Sequence, residues 1–331
     1  MKPLTFTILR LLSDTKFHSG VTIAQHLNVS RTSVSNALRR LEEKGVVVHR
    51  IHGRGYRLPN PVQWLDKKKI IRYFAAEKEK LYIEILDTAE STNTELLKKA
   101  TTEEYYDNRT DTIHVVAAEL QTNGRGRRGQ IWHSGLGDSL TFSLLWNFQK
   151  GAGILSGLSL AIGIAIIRSL KLSGIKNVAL KWPNDIMYQY KKIAGILIEL
   201  RGDSLGPTLA IIGIGINLKL SDSIKKNIDQ ESTDLFSISG KNLDRNKLMA
   251  ELLSELTIIL KEFTQHGFKP FKDEWIQYHA LQNKQVTLYL PDSSIQEGVV
   301  QGVTDNGSLI LETSNGMHYF NGGNIKLRRA T

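Results

Sequence analysis

The 331-residue chain contains no cysteine. A disulfide framework, a thiolate metal centre and a cysteine nucleophile are thereby excluded, and the composition fits a reducing cytoplasm. Long apolar runs are missing as well. The longest, such as Ala194–Leu200 and Leu209–Leu218, fall short of the roughly 20 residues a membrane helix needs, so no membrane partner is expected. Leu4–Leu12 is apolar but lacks a basic leader and a small-residue cleavage site, and is not read as a signal peptide. There is no Ser/His/Asp arrangement and no histidine-rich cluster. His114 and His133 stand alone and read as surface or core side chains, and no fixed metal site is expected. What the chain does have is 41% hydrophobic residues and a length that suggests two or three domains with real cores.

Its charge of +10 is unevenly spread. Residues 1–64 carry ten Lys or Arg against Asp14, Glu42 and Glu43, so this fifth of the chain holds +7 and the remainder only +3. Charge concentrated in one small module points to a polyanion partner for that module. The local pattern is that of a winged helix-turn-helix. Leu4, Ile8, Leu9, Leu11 and Leu12 make one apolar helix face, Val21–Leu27 a short second helix, and Asn28-Val-Ser30 a turn. Ser30 is placed to cap a third helix, Arg31–Lys44, with Val34, Ala37, Leu38 and Leu41 inward and Gly45 ending it. Its other face shows Arg31, Thr32, Ser33, Ser35, Asn36, Arg39 and Arg40, a mixture of short polar groups for base edges and arginines for phosphates. Val46–Val48 and Tyr56–Leu58 are expected to pair across a basic wing tip that includes Arg54. Pro59-Asn-Pro61 marks the boundary of this module, and Leu65–Phe74 reads as a linker helix.

In the middle of the chain, Gly124-Arg-Gly-Arg-Arg-Gly129 follows a strand-like run, His114–Leu120. Glycine lets the backbone turn sharply and approach a ligand, and guanidinium groups bind carboxylate or phosphate in a bidentate fork. Alone, the hexapeptide is equally an exposed basic loop or a nucleic-acid patch. It is not a Rossmann fingerprint, because Gln130-Ile-Trp132 opens no amphipathic helix. Glu90-Ser-Thr-Asn93 leads a helix, and Thr92-Asn-Thr-Glu95 has capping-box spacing. Further on come Leu180-Lys-Trp-Pro-Asn-Asp185, Lys191-Lys-Ile-Ala-Gly-Ile-Leu-Ile-Glu-Leu200 and Gly213-Ile-Gly-Ile-Asn217. Ser139–Asn147, Val178–Trp182, Ile193–Leu200 and Thr208–Asn217 read as strands. Ile154–Leu170 and Arg245 to about Gln265, the latter capped by Asp244, read as core helices. The tail from Gln285 to Leu327 alternates in short runs broken by Asp305-Asn-Gly307 and Asn321-Gly-Gly323, which indicates a small all-β barrel.

Taken together in order and spacing, these motifs resemble the biotin protein ligases, and with the N-terminal module the bacterial bifunctional ligases that also repress the biotin operon. The resemblance implies an α+β multidomain chain: a winged helix-turn-helix (1–62), a linker helix (63–80), a mixed-sheet catalytic domain of class II synthetase type (81–272) and an SH3-like barrel (273–331). It implies biotin, ATP and Mg²⁺ as ligands, the metal arriving on ATP. Partners would be biotin carboxyl carrier protein, operator DNA and, with adenylate bound, a second copy of the chain. Joining a carboxylic acid to an amine through an acyl adenylate needs cations to gather two anions, and a lid to exclude water from the anhydride. By resemblance, Ser91, Thr92, Asn93 and Gln121 bind the biotin ring, and Gly124, Arg125 and Gly126 close on it beside Trp132 and Gly195. Arg127 and Lys192 hold the biotin carboxylate and the α-phosphate, and Lys181 meets pyrophosphate. Arg125, Arg128, Trp132, Asn184 and Asn217 attend the nucleotide, and Asp185 serves Mg²⁺ or the incoming lysine. No Trp lies between Asn217 and Gly240 to cover adenine, leaving Phe236 as the substitute. An apolar strand such as Ile193–Leu200 is expected to form the sheet edge used in dimerisation. Two alternatives remain at this point: a lipoate or octanoate ligase, and a biotin-sensing transcription factor without ligase activity.

Overall fold

Apolar residues three and four apart build the first helix, α1 (Pro3–Leu11), which buries Phe6, Ile8 and Leu9. The computed structural model describes residues 3–39, 41, 46–76, 80–100, 112–202, 206–322 and 325–329. Helices α2 (Gly20–His26) and α3 (Arg31–Ala37) each start at a serine cap: Ser19 Oγ accepts from Thr22 N and Ser30 Oγ from Ser33 N, both at 3.0 Å. The third helix is shorter than expected, with Leu38 at its C-cap. Arg40, and residues 42–45 with Lys44 and Gly45, lie outside the described residues. The wing is displaced from its expected register. Strand β1 (His49–Ile51) pairs with β2 (Gly55–Arg57), while Val46 turns inward to the module's core. Gly53 and Gly55 supply the positive φ values of the tight tip, and a Cβ on Gly55 would collide with the His18 backbone.

A linker helix, α4 (Lys67–Tyr73), leads from this module into β3 (Lys80–Ala89), α5 (Thr92–Lys99) and β4 (Thr112–Gln121). A small hairpin of β5 (Gly124–Arg125) and β6 (Ile131–Trp132) follows, then β7 (Ser139–Phe148). Helix α6 (Leu158–Leu172) starts later than its apolar periodicity suggests, after a separate 3-10 turn at Ala152–Leu155. The break is at Gly157, whose φ is +81° and where a Cβ would meet Phe268. Strands β8 (Ala179–Lys181), β9 (Asp185–Tyr188), β10 (Lys191–Gly202) and β11 (Thr208–Asn217) complete a seven-stranded mixed sheet in the order β3-β4-β7-β11-β10-β9-β8. Only β3 and β4 are parallel in it. Short helices α7 (Asp222–Lys225) and α8 (Leu235–Ser239) precede the long α9 (Arg245–His266), which Asp244 caps as its sequence indicates.

Helices α6 and α9 cover one face of the sheet, burying Phe142, Leu144, Ile212, Ile214 and Ile216 against Leu252, Leu256 and Phe263. The opposite face is covered only in part, by Leu96 of α5 and Ala100 at its C-cap over Val116, Leu145 and Ile211. Beyond α5 that face is open, and there β11 carries Gly213 and Gly215 in place of large side chains. Helix α10 (Lys272–Tyr278) then leads into a five-stranded antiparallel sheet of β12 (Gln285–Tyr289), β13 (Ile295–Val303), β14 (Leu309–Thr313), β15 (Gly316–Phe320) and β16 (Lys326–Arg329). Val286, Leu288, Val300 and Leu311 of this sheet join the same buried cluster as the central helices. No helix among the described residues is long and apolar enough to cross a membrane.

The N-terminal module is moored by a buried polar knot. Arg245, at the start of α9, is 2% exposed and donates to Glu119 Oε2 at 2.8 Å, to Gln63 O at 2.6 Å and to Ser139 O at 3.2 Å. Glu119 Oε1 accepts from Leu65 N at 2.7 Å, and Asn246 bonds Trp64 O and Asp66 N. The linker backbone is thus gripped by side chains of the central sheet and α9. Leu120, next to Glu119, and Leu136 pack into the core of the N-terminal module itself.

Candidate active site

The open face of the sheet, the β5–β6 hairpin and the edge of the C-terminal sheet enclose a cavity of about 1110 Å³. Its floor is glycine for a steric reason. A Cβ on Gly213 would strike the Asn93 amide, one on Gly215 the Trp132 indole, and one on Gly195 would crowd Lys192 and Trp132. Trp132 therefore lies flat on the sheet, its Nε1 buried and without a hydrogen-bond partner.

At one end are neutral polar groups. Thr92 N and Thr92 Oγ1 donate to Gln121 Oε1 at 2.7 and 3.2 Å, and Ser143 Oγ lies 2.7 Å from Thr92 Oγ1 and 2.6 Å from Asn93 Oδ1. The expected capping box is not formed. Ser91, not Thr92, is the N-cap residue, and its side chain makes no cap bond. The box spacing counted from the wrong residue, and Thr92 spends its hydroxyl on Gln121. At the other end are charges. Lys192 Nζ lies 2.6 Å from Asp185 Oδ1 and 5.8 Å from the Trp132 ring centre. Arg127 donates to Asn184 Oδ1 at 3.0 Å and to the carbonyl of Gly322. Burial pulls the Arg127 guanidinium below the ordinary arginine value, against the opposing pull of Asp185. Seven Lys or Arg side chains line the cavity against two carboxylates, Asp185 and Asp229. Such a lining attracts polyanions.

Lys192 owes its place to a β-bulge. The β10–β9 register slips between Lys192 and Ala194, which turns Lys192 onto the face that also presents Gly195. Ser91, Thr92, Asn93, Gln121, Arg125, Gly126, Arg127, Arg128, Trp132, Lys181, Asn184, Asp185, Lys192 and Gly195 all line the one cavity. Gly124 does not. It sits at the hairpin base, where a Cβ would collide with the Trp132 carbonyl. Asn217 does not either: it is buried and its amide donates to Thr233 O at 3.1 Å and Lys192 O at 3.5 Å, bracing the bulge from behind. Phe236 also stands off the cavity, with the Lys219 ammonium 4.6 Å above its ring. The span Lys226–Gln230, with Ile228 as its apolar member, lines the cavity where Phe236 does not.

Other contributors carry no local signal in the sequence. Ser143 and Glu199 lie on strands whose side-chain partners are remote in sequence. Gly322 and Arg328 come from the C-terminal sheet, and only packing brings them to the cavity. His133, read as isolated, lines the cavity.

Beside the cavity, Asp138 joins the end of the hairpin segment to the chain after β11, its carbonyl accepting from Leu218 N and Lys219 N. Burial pushes its carboxyl from 3.8 up to about 6, opposed by a hydrogen bond from Ser221. The folded chain keeps this proton to a higher pH than the unfolded chain, so stability falls as pH rises from about 4 to 6 and stays lower above. Asp138→Asn, which mimics the protonated acid, should therefore be more stable than the parent at pH 8 by about 1–2 kcal/mol, allowing for partial exposure. The gap should close below pH 4, as read by urea titration at both pH values.

The N-terminal module offers a second surface. Arg31, Thr32, Asn36 and Arg39 of the α3 segment are exposed, while Ser33 and Ser35 are half-buried, the Ser33 hydroxyl lying 2.9 Å from Ser30 Oγ. Arg54 at the wing tip stacks 4.5 Å over Phe17.

Comparisons with known proteins agree with this architecture. Residues 5–57 match the model of an HTH domain, residues 86–217 that of the biotin/lipoate A/B protein ligase family, and residues 282–328 that of the biotin protein ligase C terminal domain. The chain is 34% identical to the bifunctional ligase/repressor BirA of Escherichia coli, over 98% of this chain and 97% of that protein. It is 27% identical to BirA of Bacillus subtilis, over 94% of each. Among solved structures, it resembles a biotin protein ligase from Aquifex aeolicus in complex with biotin and ATP, with a TM-score of 0.62 and 29% identity over 75% of this chain and 99% of that one.

Proposed function

The chain belongs to the bifunctional biotin ligase/repressor family, and from that premise we propose how its residues divide the work. It is a biotin protein ligase with an N-terminal helix-turn-helix repressor domain. It activates biotin with ATP to biotinyl-5′-AMP and passes the biotinyl group to a lysine of biotin carboxyl carrier protein. The neutral end, Ser91, Thr92, Asn93 and Gln121, suits the ureido ring, which wants hydroxyl and amide partners rather than charges. The cationic end suits the carboxylate and the phosphates. Lys192 leaves Asp185 for the biotin carboxylate and the α-phosphate, Arg127 joins it, and Lys181 receives the pyrophosphate. Asp185, held between Lys192 and Arg127, fits a carboxylate that serves a Mg²⁺ brought in by ATP. When bound, that ion neutralises the leaving pyrophosphate.

The observation that carries this reading is the meeting of Arg127, Lys181 and Lys192 around one glycine-floored cavity whose other end is neutral and polar. The lipoate alternative is disfavoured by that polar end and by the DNA-binding head. The purely sensory alternative is disfavoured by the full set of cations. Incubating the chain with ATP, biotin and a carrier fragment should yield adenylate by mass and labelled carrier. Absence of both, or lipoyl-adenylate in place of biotinyl-adenylate, would refute the assignment.

The repressor half acts through α3 and the wing. Arg39→Ala should weaken operator binding by roughly tenfold and lower the salt slope by about one, without changing ligation. An unchanged slope in a filter-binding titration would remove Arg39 from the phosphate contacts. For the dimer, the edge is narrower than the whole apolar strand expected from sequence. Strand β10 pairs with both β9 and β11 at Ala194 and Gly195, and its outer half, Ile196–Gly202, pairs with β11 alone among the described residues. This half, with exposed Leu200, is the edge through which two copies join when adenylate is bound. Sedimentation with and without biotin and ATP tests it, and an unchanged mass at micromolar protein would count against it.

A further inference from the structure

The β5–β6 hairpin is tied down at two points of different kinds. Arg127 is held by Asn184 and by the Gly322 carbonyl, inside the cavity and among the groups that meet the reacting phosphate. Arg125 also lines the cavity, but its anchor lies beyond the rim. Its Nη2 donates to Glu199 Oε2 at 2.8 Å, and the same oxygen accepts from Asn93 Nδ2 at 2.7 Å. Glu199 lies on the outer half of β10, on the same face as Gly195 and Leu197, just beyond the cavity rim. One carboxylate oxygen therefore closes a chain of side-chain contacts: Gln121 to Thr92, Thr92 to Ser143, Ser143 to Asn93, Asn93 to Glu199, and Glu199 to Arg125. The chain runs from the strand under the ring site to the hairpin that covers it.

We propose that Glu199 is a positioning residue that latches the hairpin through Arg125 and registers it against Asn93. The inference rests on the ligase reading above. With Arg125 docked on a carboxylate outside the cavity, the hairpin stays closed while Arg127 turns from the protein toward the acyl phosphate. The latch thus acts on retention of the adenylate more than on its formation. It is a charge-assisted pair at a half-exposed site, so its strength is screened by salt.

The test is the lifetime of enzyme-bound biotinyl-adenylate, read by mass after removal of free ligand, with labelling of bystander lysines as a second readout. Glu199→Gln keeps an acceptor for Asn93 and removes the charge. It should release adenylate roughly three- to tenfold faster, the worth of turning a charged bond neutral, with the KM for biotin unchanged. Release from the parent should quicken with salt, and release from this variant should not. Glu199→Ala, which also strips Asn93 of its acceptor, should raise the biotin KM as well. The double variant Arg125→Gln/Glu199→Gln should release adenylate no faster than Arg125→Gln alone. A Glu199→Gln enzyme that holds adenylate as long as the parent, or effects that add in the double variant, would overturn the latch and leave the ligase reading intact. A parent that makes no adenylate at all would overturn both.

Discussion

Lys192→Met should lower the rate of adenylate formation by roughly 10²–10³-fold, the usual consequence of removing one preorganised cation or donor from a developing charge. The Lys192 side chain is largely enclosed, 15% exposed, its ammonium paired with the carboxylate of Asp185, whose side chain is 17% exposed, and set over the Trp132 face. A cation already stripped of much of its water interacts more strongly with an incoming anion than one on the surface. Methionine preserves the length of the side chain over Gly195, so the glycine floor stays filled and the loss reports on charge rather than on packing. Binding of the ring, which rests on neutral partners at the far end of the cavity, should change much less than kcat. Single-turnover formation of biotinyl-adenylate, with biotin affinity measured separately, distinguishes the two effects. If the rate fell by less than about fivefold, Lys192 would be no more than a solvated neighbour of Lys191.

Arg245→Ala should destabilise the fold by about 3–5 kcal/mol, because it leaves the Glu119 carboxylate buried without a counter-charge. Glu119 is 1% exposed, and Arg245 also satisfies the carbonyls of Gln63 and Ser139. The loss should be visible as a lower midpoint in urea, and as looser attachment of the head, since residues 63–66 are held to the catalytic sheet by this knot. Arg245→Met combined with Glu119→Leu should recover part of the stability, because an apolar pair no longer carries an unpaired charge. The recovery stays partial, as Leu65 N loses its acceptor. A single variant within about 1 kcal/mol of the parent would mean that water reaches Glu119 freely and that the knot is not a structural tie.

Where signals are local, sequence reading was close. Asp244 followed by a 3.6-residue apolar period placed α9 to within a residue, because a cap and an amphipathic stripe are decided within a few turns. The β11 strand was read to its ends for a similar reason, its branched residues being buried on both sides. Three consecutive valines look like a strand, yet Val46 is drawn into the module's core while Val47 stays exposed, and the paired wing strand starts only at His49. Helix α6 starts later than its periodicity indicates because periodicity does not register the close approach of Phe268, remote in the chain, to Gly157, where a Cβ would collide.

By itself the sequence determined the kinds of group available and their neighbourhoods: a cationic glycine hairpin, a hydroxyl- and amide-bearing helix start, lysines at strand ends, and a basic head. These follow from residue chemistry and short-range steric preference, which act over a few positions. Only the tertiary structure decided which of them share a site. The bulge after Lys192 reversed the side-chain alternation of β10 and brought that ammonium over the glycine floor. Packing also gave the Asn217 amide its partners, the Lys192 and Thr233 carbonyls behind that bulge. Glu119 and Arg245, 126 positions apart, became one buried pair. Register, bulges and buried partners are fixed by long-range packing, and no short stretch of this chain contains the information that sets them.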